Sequence, residues 1–140
     1  MREILFRAKA INRNEGWSYR TNYKNGDWVY GLVITMYDDR FPNLPAEMKN
    51  TDGVSGIDVD YKTIGEYTGL TDKNGTKIFE GDIVKTNQYQ RSIGTDTFAI
   101  EFIEGNYYLC HKRCTTWTLR SFVEEVEVIG NKYDNPELIS

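Results

Sequence analysis

Short runs in which apolar and polar residues alternate, each ended by a turn signal, constrain this chain more than any other feature. The clearest run places Trp28, Tyr30, Leu32, Ile34 and Met36 on one side and Val29, Gly31, Val33 and Thr35 on the other. A period of two sends successive side chains to opposite faces of a strand. Both faces carry apolar residues here, so the spacing predicts a strand that is at least partly covered on both. Ile4, Phe6 and Ala8 alternate with Leu5, Arg7 and Lys9, which predicts a first strand near residues 3 to 11. Asn25-Gly26-Asp27 stands just before the Trp28 run, and Asn and Gly tolerate the positive φ of a tight hairpin turn.

The same grammar continues downstream. Ile57, Val59, Tyr61 and Thr63 alternate with Asp58, Asp60 and Lys62, as in a half-exposed strand. Asn74-Gly75 marks a reversal, and Ile78 to Val84 sets two apolar pairs around Gly81-Asp82, as where a chain turns sharply into the first strand of a small barrel. That strand is expected to start at residues 83 to 86. Ala99 to Ile103, a Glu104-Gly105-Asn106 turn and Tyr107 to Cys110 read as a second hairpin. Leu119, Phe122 and Val123 have the spacing of one or two helical turns near 118 to 125, and Val126 and Val128 open a last strand. Residues 38 to 56 hold Pro42, Pro45, Gly53 and Gly56 among polar residues and read as a long surface loop. The expected fold is therefore mostly β: antiparallel strands and hairpins, at most one short helix, and an SH3-like small barrel in the C-terminal part. Its expected organisation is an N-terminal lobe, 1–66, that includes the long loop, and a C-terminal lobe, 67–140, packed as one compact unit.

Composition agrees, with ten Tyr, twelve Gly and 14% aromatic residues. A net charge of −4 argues against a dominant grip on phosphate, which needs clustered Lys and Arg. No apolar run of about 18 residues occurs and no apolar segment follows the N-terminus, so neither a membrane span nor a secretory signal is expected, and the expected compartment is the cytoplasm. The two cysteines, Cys110 and Cys114, then read as reduced thiols.

Chemistry-bearing clusters are weak. Cys110, His111 and Cys114 invite a zinc reading, but a structural zinc needs about four ligands and the chain has one His and no third Cys. Asp58 and Asp60 share a strand face and Glu80 and Asp82 flank a turn, the raw material of a carboxylate or metal-dependent hydrolase. The plainer reading has the first pair solubilising an exposed face and Asp82 capping its own turn. His111 is the sole imidazole base, and no Ser or Cys sits in a glycine-flanked elbow. No catalytic residue, metal ligand or cofactor site is assigned. Tyr89, Arg91, Tyr107, Tyr108, Lys112, Arg113, Trp117 and Arg120 would form a mixed aromatic and basic interaction surface of the kind on which small barrels stack single-stranded nucleic acid. Between Gln88 and Arg120, however, four basic residues face three acidic ones, and such aromatics commonly serve as core or cross-strand pairs.

Three blocks taken together carry a resemblance: Ile64-Gly65-Glu66-Tyr67-Thr68-Gly69-Leu70-Thr71-Asp72-Lys73-Asn74-Gly75, Ile78-Phe79-Glu80-Gly81-Asp82-Ile83-Val84, and Val126 to Leu138 with Gly130-Asn131-Lys132-Tyr133-Asp134-Asn135-Pro136 inside it. With the Arg2 to Arg7 opening and Trp28-Val29-Tyr30-Gly31, the chain resembles the YopX family of bacteriophages and prophages. The resemblance implies a phage-encoded, largely β protein with a barrel-like C-terminal part. It brings no activity and no catalytic residues with it. The expected role is that of an accessory protein in the host bacterial cell that acts through a protein partner or through self-association. Single-stranded nucleic-acid binding and metal-dependent hydrolysis are the alternatives from other classes.

Overall fold

The computed structural model describes residues 3–11, 23–35, 46–50, 56–90 and 94–139. They form eleven strands: β1 Phe6–Lys9, β2 Trp28–Thr35, β3 Ala46–Asn50, β4 Gly56–Val59, β5 Gly65–Thr71, β6 Lys77–Phe79, β7 Asp82–Gln90, β8 Thr95–Ile103, β9 Asn106–His111, β10 Arg113–Thr118 and β11 Glu127–Asn131. A single α-helical turn, α1 Leu119–Phe122, lies between β10 and β11, and 3-10 turns occupy Tyr61–Thr63 and Pro136–Ile139. The protein is mostly β, and all its strand pairs are antiparallel. The chain divides into two compact units, Met1–Glu66 and Tyr67–Ser140.

In the first unit the strands run β4-β3-β2-β1, and the start of β5 pairs with the other edge of β1. Phe6 stands opposite Gly31 and Ala8 opposite Val29, while Arg7 faces Tyr30 and Lys9 faces Trp28. Opposed residues in an antiparallel pair share a face, so one face carries Ala8, Val29, Met48, Ile57 and Val59, all but sealed from water, and the other carries the Arg7, Lys9, Trp28 and Tyr30 set. Ala10 bridges Val59, the Ile11 N–H donates to the Asp58 carbonyl and the Asp60 N–H to the Lys9 carbonyl, so the end of β1 also meets β4 around this core.

Three details depart from the strand pattern expected above. Residues 46–50, read as part of the long loop, form β3, in which Ala46 and Met48 enter the core and Glu47 and Lys49 face away. Gly56, the last residue of the expected loop, opens β4, and the remaining loop positions, 38–45 and 51–55, lie outside the described residues, as does Met36. Strand β2 does not alternate uniformly. Gly31 opposes Asn50 and Val33 opposes Lys49, so Leu32 is an extra residue in a β-bulge, and beyond it Ile34 stands opposite core Met48. Finally, the strand expected through Thr63 stops at Val59, because the Asp60 carboxylate accepts the Lys62 N–H and starts a 3-10 turn. Gly31 is required by packing: a Cβ there would run into the Lys49 carbonyl and the Met48 side chain.

In the second unit the order is β10-β9-β8-β7-β11. Phe98, Ile100, Val84, Leu109, Ile78, Leu119 and Val126 form its core. The β8–β9 hairpin is built as expected, though longer, and its turn uses Glu104 at φ 48° and Gly105 at φ 88°, the left-handed pair that a two-residue hairpin needs. Among the described residues, the second unit's sheet does not close on itself: β11 pairs with β7, and α1 lies between β10 and β11 in the chain, with Leu119 in the core. Among the described residues, no helix is long and apolar enough to cross a membrane.

Candidate interaction surface

Asp72 follows β5 and turns the chain towards β6. Its Oδ1 accepts the N–H groups of Asn74 (2.8 Å) and Thr76 (2.9 Å), while Oδ2 accepts the N–H of Val128 in β11 (2.9 Å). The Lys73 N–H donates in turn to the Val126 carbonyl. Burial pushes the Asp72 carboxyl up, but the three backbone donors and the Lys73 charge outweigh it and hold its pKa below the ordinary value. Asp82, also buried, accepts the Phe79 N–H at 2.7 Å, which closes the turn into β7. The Gly81 N–H donates to the Ile100 carbonyl, and the Gly81 carbonyl accepts the Lys132 N–H. Asn131 Oδ1 accepts the N–H groups of Tyr133 and Asp134, and Asn135 Oδ1 accepts that of Asn131. Gly130 leaves room for Asn135: a Cβ there would sit 2.5 Å from Asn135 Oδ1. Lys132 reaches Glu101 at 3.3 Å; burial alone would lower its pKa, and the Glu101 charge raises it instead.

These contacts account for the residues around which the resemblance was built. The blocks 64–75, 78–84 and 126–138 meet one another through side chain to backbone and backbone to backbone bonds that satisfy turn and strand-end groups. Their polar residues Asp72, Asp82, Asn131 and Asn135 are engaged in holding the second unit together. Asp60 caps a 3-10 turn and Asp58 sits on β4 directly across from Glu47. Among the described residues, no group of three or more His, Cys, Asp and Glu side chains is placed to hold a metal ion.

The aromatic and basic set anticipated around the second hairpin is divided. Trp117 packs against the core, with its ring 6.1 Å from Phe98 and 5.2 Å from Phe122. Tyr107 also packs on the core and lies 5.1 Å from Phe102. Tyr108 is half-buried on β9, opposite Glu101. Lys112 and Arg120 are exposed, the first in the turn after β9 and the second on α1. Tyr89 and Arg113 are placed by their strands, β7 and β10, and Arg91 lies outside the described residues.

A more continuous surface lies on the first unit. On the outer face of its sheet, Arg7 stacks over Trp28 at 4.6 Å and Lys9 lies 5.4 Å from the same ring, a cation–π arrangement that fixes Trp28 across β1. Next to it Tyr30 is 42% exposed, and Leu32, the extra residue of the bulge, is 52% exposed. Glu47 and Asp58 face each other on β3 and β4, with exposed Lys49 beside them, and the Glu47 carboxylate lies where a Cβ of Gly56 would be. The single signal for this surface in the sequence was the apolar character of both sides of the Trp28 run. Simple alternation assigned Leu32 the same covered environment as its neighbours.

Among solved structures, the crystal structure of protein EF1440 from Enterococcus faecalis is similar over 99% of this chain and 99% of that one, with 22% identity and a TM-score of 0.53, a likeness of fold. No curated protein matches the chain. The model of the YopX family, described as YopX protein, matches residues 6–140, which takes in both units and all three of the interlocking blocks, and the chain therefore belongs to the YopX family.

Proposed function

We propose that this is a phage-encoded accessory protein of the host bacterial cytoplasm that works without catalysis, by holding a protein partner on the outer face of the β1–β2 ladder. The observation that carries this reading is the exposure of Tyr30 and Leu32 beside a Trp28 ring already pinned by two cations. Single exposed apolar residues are ordinary. Here two exposed positions on one strand, Tyr30 and the bulge residue Leu32, adjoin an immobilised aromatic ring, and Trp, Tyr and Arg are the residue types that anchor protein interfaces. Lys9 on one side and Glu47 and Asp58 on the other, each partly exposed, supply a charged surround of both signs.

That mixture of signs favours a protein over nucleic acid, since phosphate recognition draws on a field of one sign. The second unit adds Lys112 and Arg120, but Trp117 and Tyr107 are committed to its core, which weakens the stacking platform that the nucleic-acid alternative requires. The hydrolase alternative loses ground where Asp60 and Asp82 serve as caps. The strand order β11-β7-β8-β9-β10, with a short helix before the last strand, supports reading the second unit as an SH3-like small barrel left open between β10 and β11.

The test is capture of partners by the tagged chain from host cells during phage growth, with and without nuclease, alongside a Tyr30→Ser/Leu32→Ser variant. The expected result is a nuclease-resistant protein partner held by the parent chain and lost from the variant. Capture that vanishes on nuclease treatment would replace this reading with the nucleic-acid one. Capture indifferent to the substitutions would remove the β1–β2 face from it.

A further inference from the structure

Asn25-Gly26 and Asn74-Gly75 are the two Asn-Gly pairs of the chain, and both sit in exposed turns with the glycine at a left-handed φ, 85° and 83°. An Asn before a Gly is chemically vulnerable, because the next backbone nitrogen, with no Cβ beside it, can approach the side-chain amide carbon. At both glycines nothing lies within 4 Å of where a Cβ would stand. The two turns are held by different contacts. The Gly26 N–H donates to the Ala10 carbonyl at 2.9 Å. In the second turn Asp72 takes both backbone nitrogens: its carboxylate accepts the Asn74 N–H at 2.8 Å and its carbonyl accepts the Gly75 N–H at 3.0 Å. The Asn74 Nδ2 donates in turn to Glu127 Oε1 at 3.3 Å. The attacking nitrogen and the amide it would attack are therefore each engaged. Two carboxylates, Asp72 and Glu127, surround them against one cation, Lys73, which lies 3.8 Å from Glu127. Nearby negative charge disfavours the deprotonated nitrogen that the attack requires.

We infer that Asn74 is a site of spontaneous deamidation that its contacts with Asp72 and Glu127 restrain, and that conversion there undoes the junction that restrains it. The Gly75 nitrogen gives its proton to solvent base and forms a bond to the Asn74 side-chain carbonyl carbon. The bond from that carbon to the amide nitrogen breaks, and the NH2 group takes up a proton and leaves as ammonia. Water then adds to either carbonyl of the succinimide ring and breaks that carbon's bond to nitrogen, which leaves aspartate or isoaspartate. Water is consumed, ammonia is released, and nothing is oxidised or reduced. Either product puts a carboxylate where the amide donated to Glu127, so an attraction becomes a like-charge contact. Isoaspartate also carries the side-chain CH2 into the main chain, which lengthens the turn between Asn74 and Thr76, the two residues whose N–H groups share Asp72 Oδ1.

The experiment is incubation of the full-length chain in mildly alkaline buffer, with and without denaturing urea, followed over weeks by peptide mapping that separates Asn, Asp and isoaspartate at positions 25 and 74. In urea both positions are expected to convert at similar rates. In the folded chain Asn74 is expected to convert several-fold more slowly than in urea. Glu127→Ala, which removes both the acceptor of Nδ2 and a negative charge, is expected to speed Asn74 several-fold in the folded chain and to leave Asn25 unchanged. Asn74→Asp, a mimic of one product, is expected to unfold at a lower urea concentration than the parent chain. No conversion at position 74 in urea, or conversion as fast in the folded chain as in urea, would overturn the inference. Equal acceleration of both positions in Glu127→Ala would overturn the restraint assigned to that contact, and an unchanged midpoint in Asn74→Asp would overturn the consequence for the junction.

Discussion

The second unit's Asp72 junction and the first unit's outer sheet face are both rich in the residues by which this chain resembles its family, yet they use them in opposite ways. Around Asp72 nearly every polar atom is committed: a buried carboxylate takes three backbone N–H groups from two separate stretches of chain. On the outer face of β1 and β2, large side chains are held in place from below but left open to water. A shared sequence pattern can therefore mark a buried junction in one place and an exposed apolar stretch in another, and the exposure of Tyr30 and Leu32 separates the two.

The largest expected effect is at the junction. Asp72→Ala leaves the N–H groups of Asn74, Thr76 and Val128 without their acceptor and is expected to cost about 3 kcal/mol or more, measured by urea denaturation. A loss under about 1 kcal/mol would break the contrast. Gly31→Val pushes a side chain into the Lys49 carbonyl and Met48 and is expected to cost about 1–3 kcal/mol, destabilising the sheet that carries Tyr30 and Leu32.

The junction also has a pH signature. Because the Asp72 pKa is lowered in the folded protein, its contribution is fully present above the ordinary carboxylate value of about 3.9 and is lost as pH falls through the lower folded value. Asp72→Asn is therefore expected to flatten the acid limb of a stability curve measured between about pH 5 and 2. At the other end of the scale, Lys132 has a raised pKa, so its pairing with Glu101 is intact below the ordinary lysine value and fades as pH rises through the folded one. The pair is partly exposed, so Lys132→Ala is expected to cost only about 0.2–1 kcal/mol. Smallest of all in stability is Tyr30→Ser/Leu32→Ser, expected within about 0.5 kcal/mol of the parent chain for each side chain. That indifference is what makes the pair a clean probe of binding.

Local rules made much of this legible in advance. Asn74-Gly75 turns where its composition demands, with Gly75 at φ 83°, and Asp82 caps its own turn. The β8–β9 hairpin follows its alternation. What local rules could not reach was non-local. Strand β3 hides behind Pro42 and Pro45 with just Ala46 and Met48 as apolar residues, and its place is decided by the neighbours β2 and β4, whose sequences lie elsewhere. The bulge at Leu32 is invisible because both faces of β2 are apolar, so a shift of one residue breaks no pattern. Asp72 read as an ordinary turn residue, and its decisive contact, with Val128, lies 56 positions away. Trp117 and Tyr107 had the composition of a binding surface and the surroundings of a core, and hydrophobic packing decided between them.

The claim that the first unit's outer face is the working surface is tested most directly by site-specific photo-cross-linking in host cells, with the reactive side chain placed at Leu32 and, for comparison, at exposed Arg120 of the second unit. The account predicts a discrete protein adduct from position 32 that disappears when Tyr30→Ser is added, and none from position 120. An adduct from position 120 alone, or nucleic acid as the cross-linked species at position 32, would contradict it.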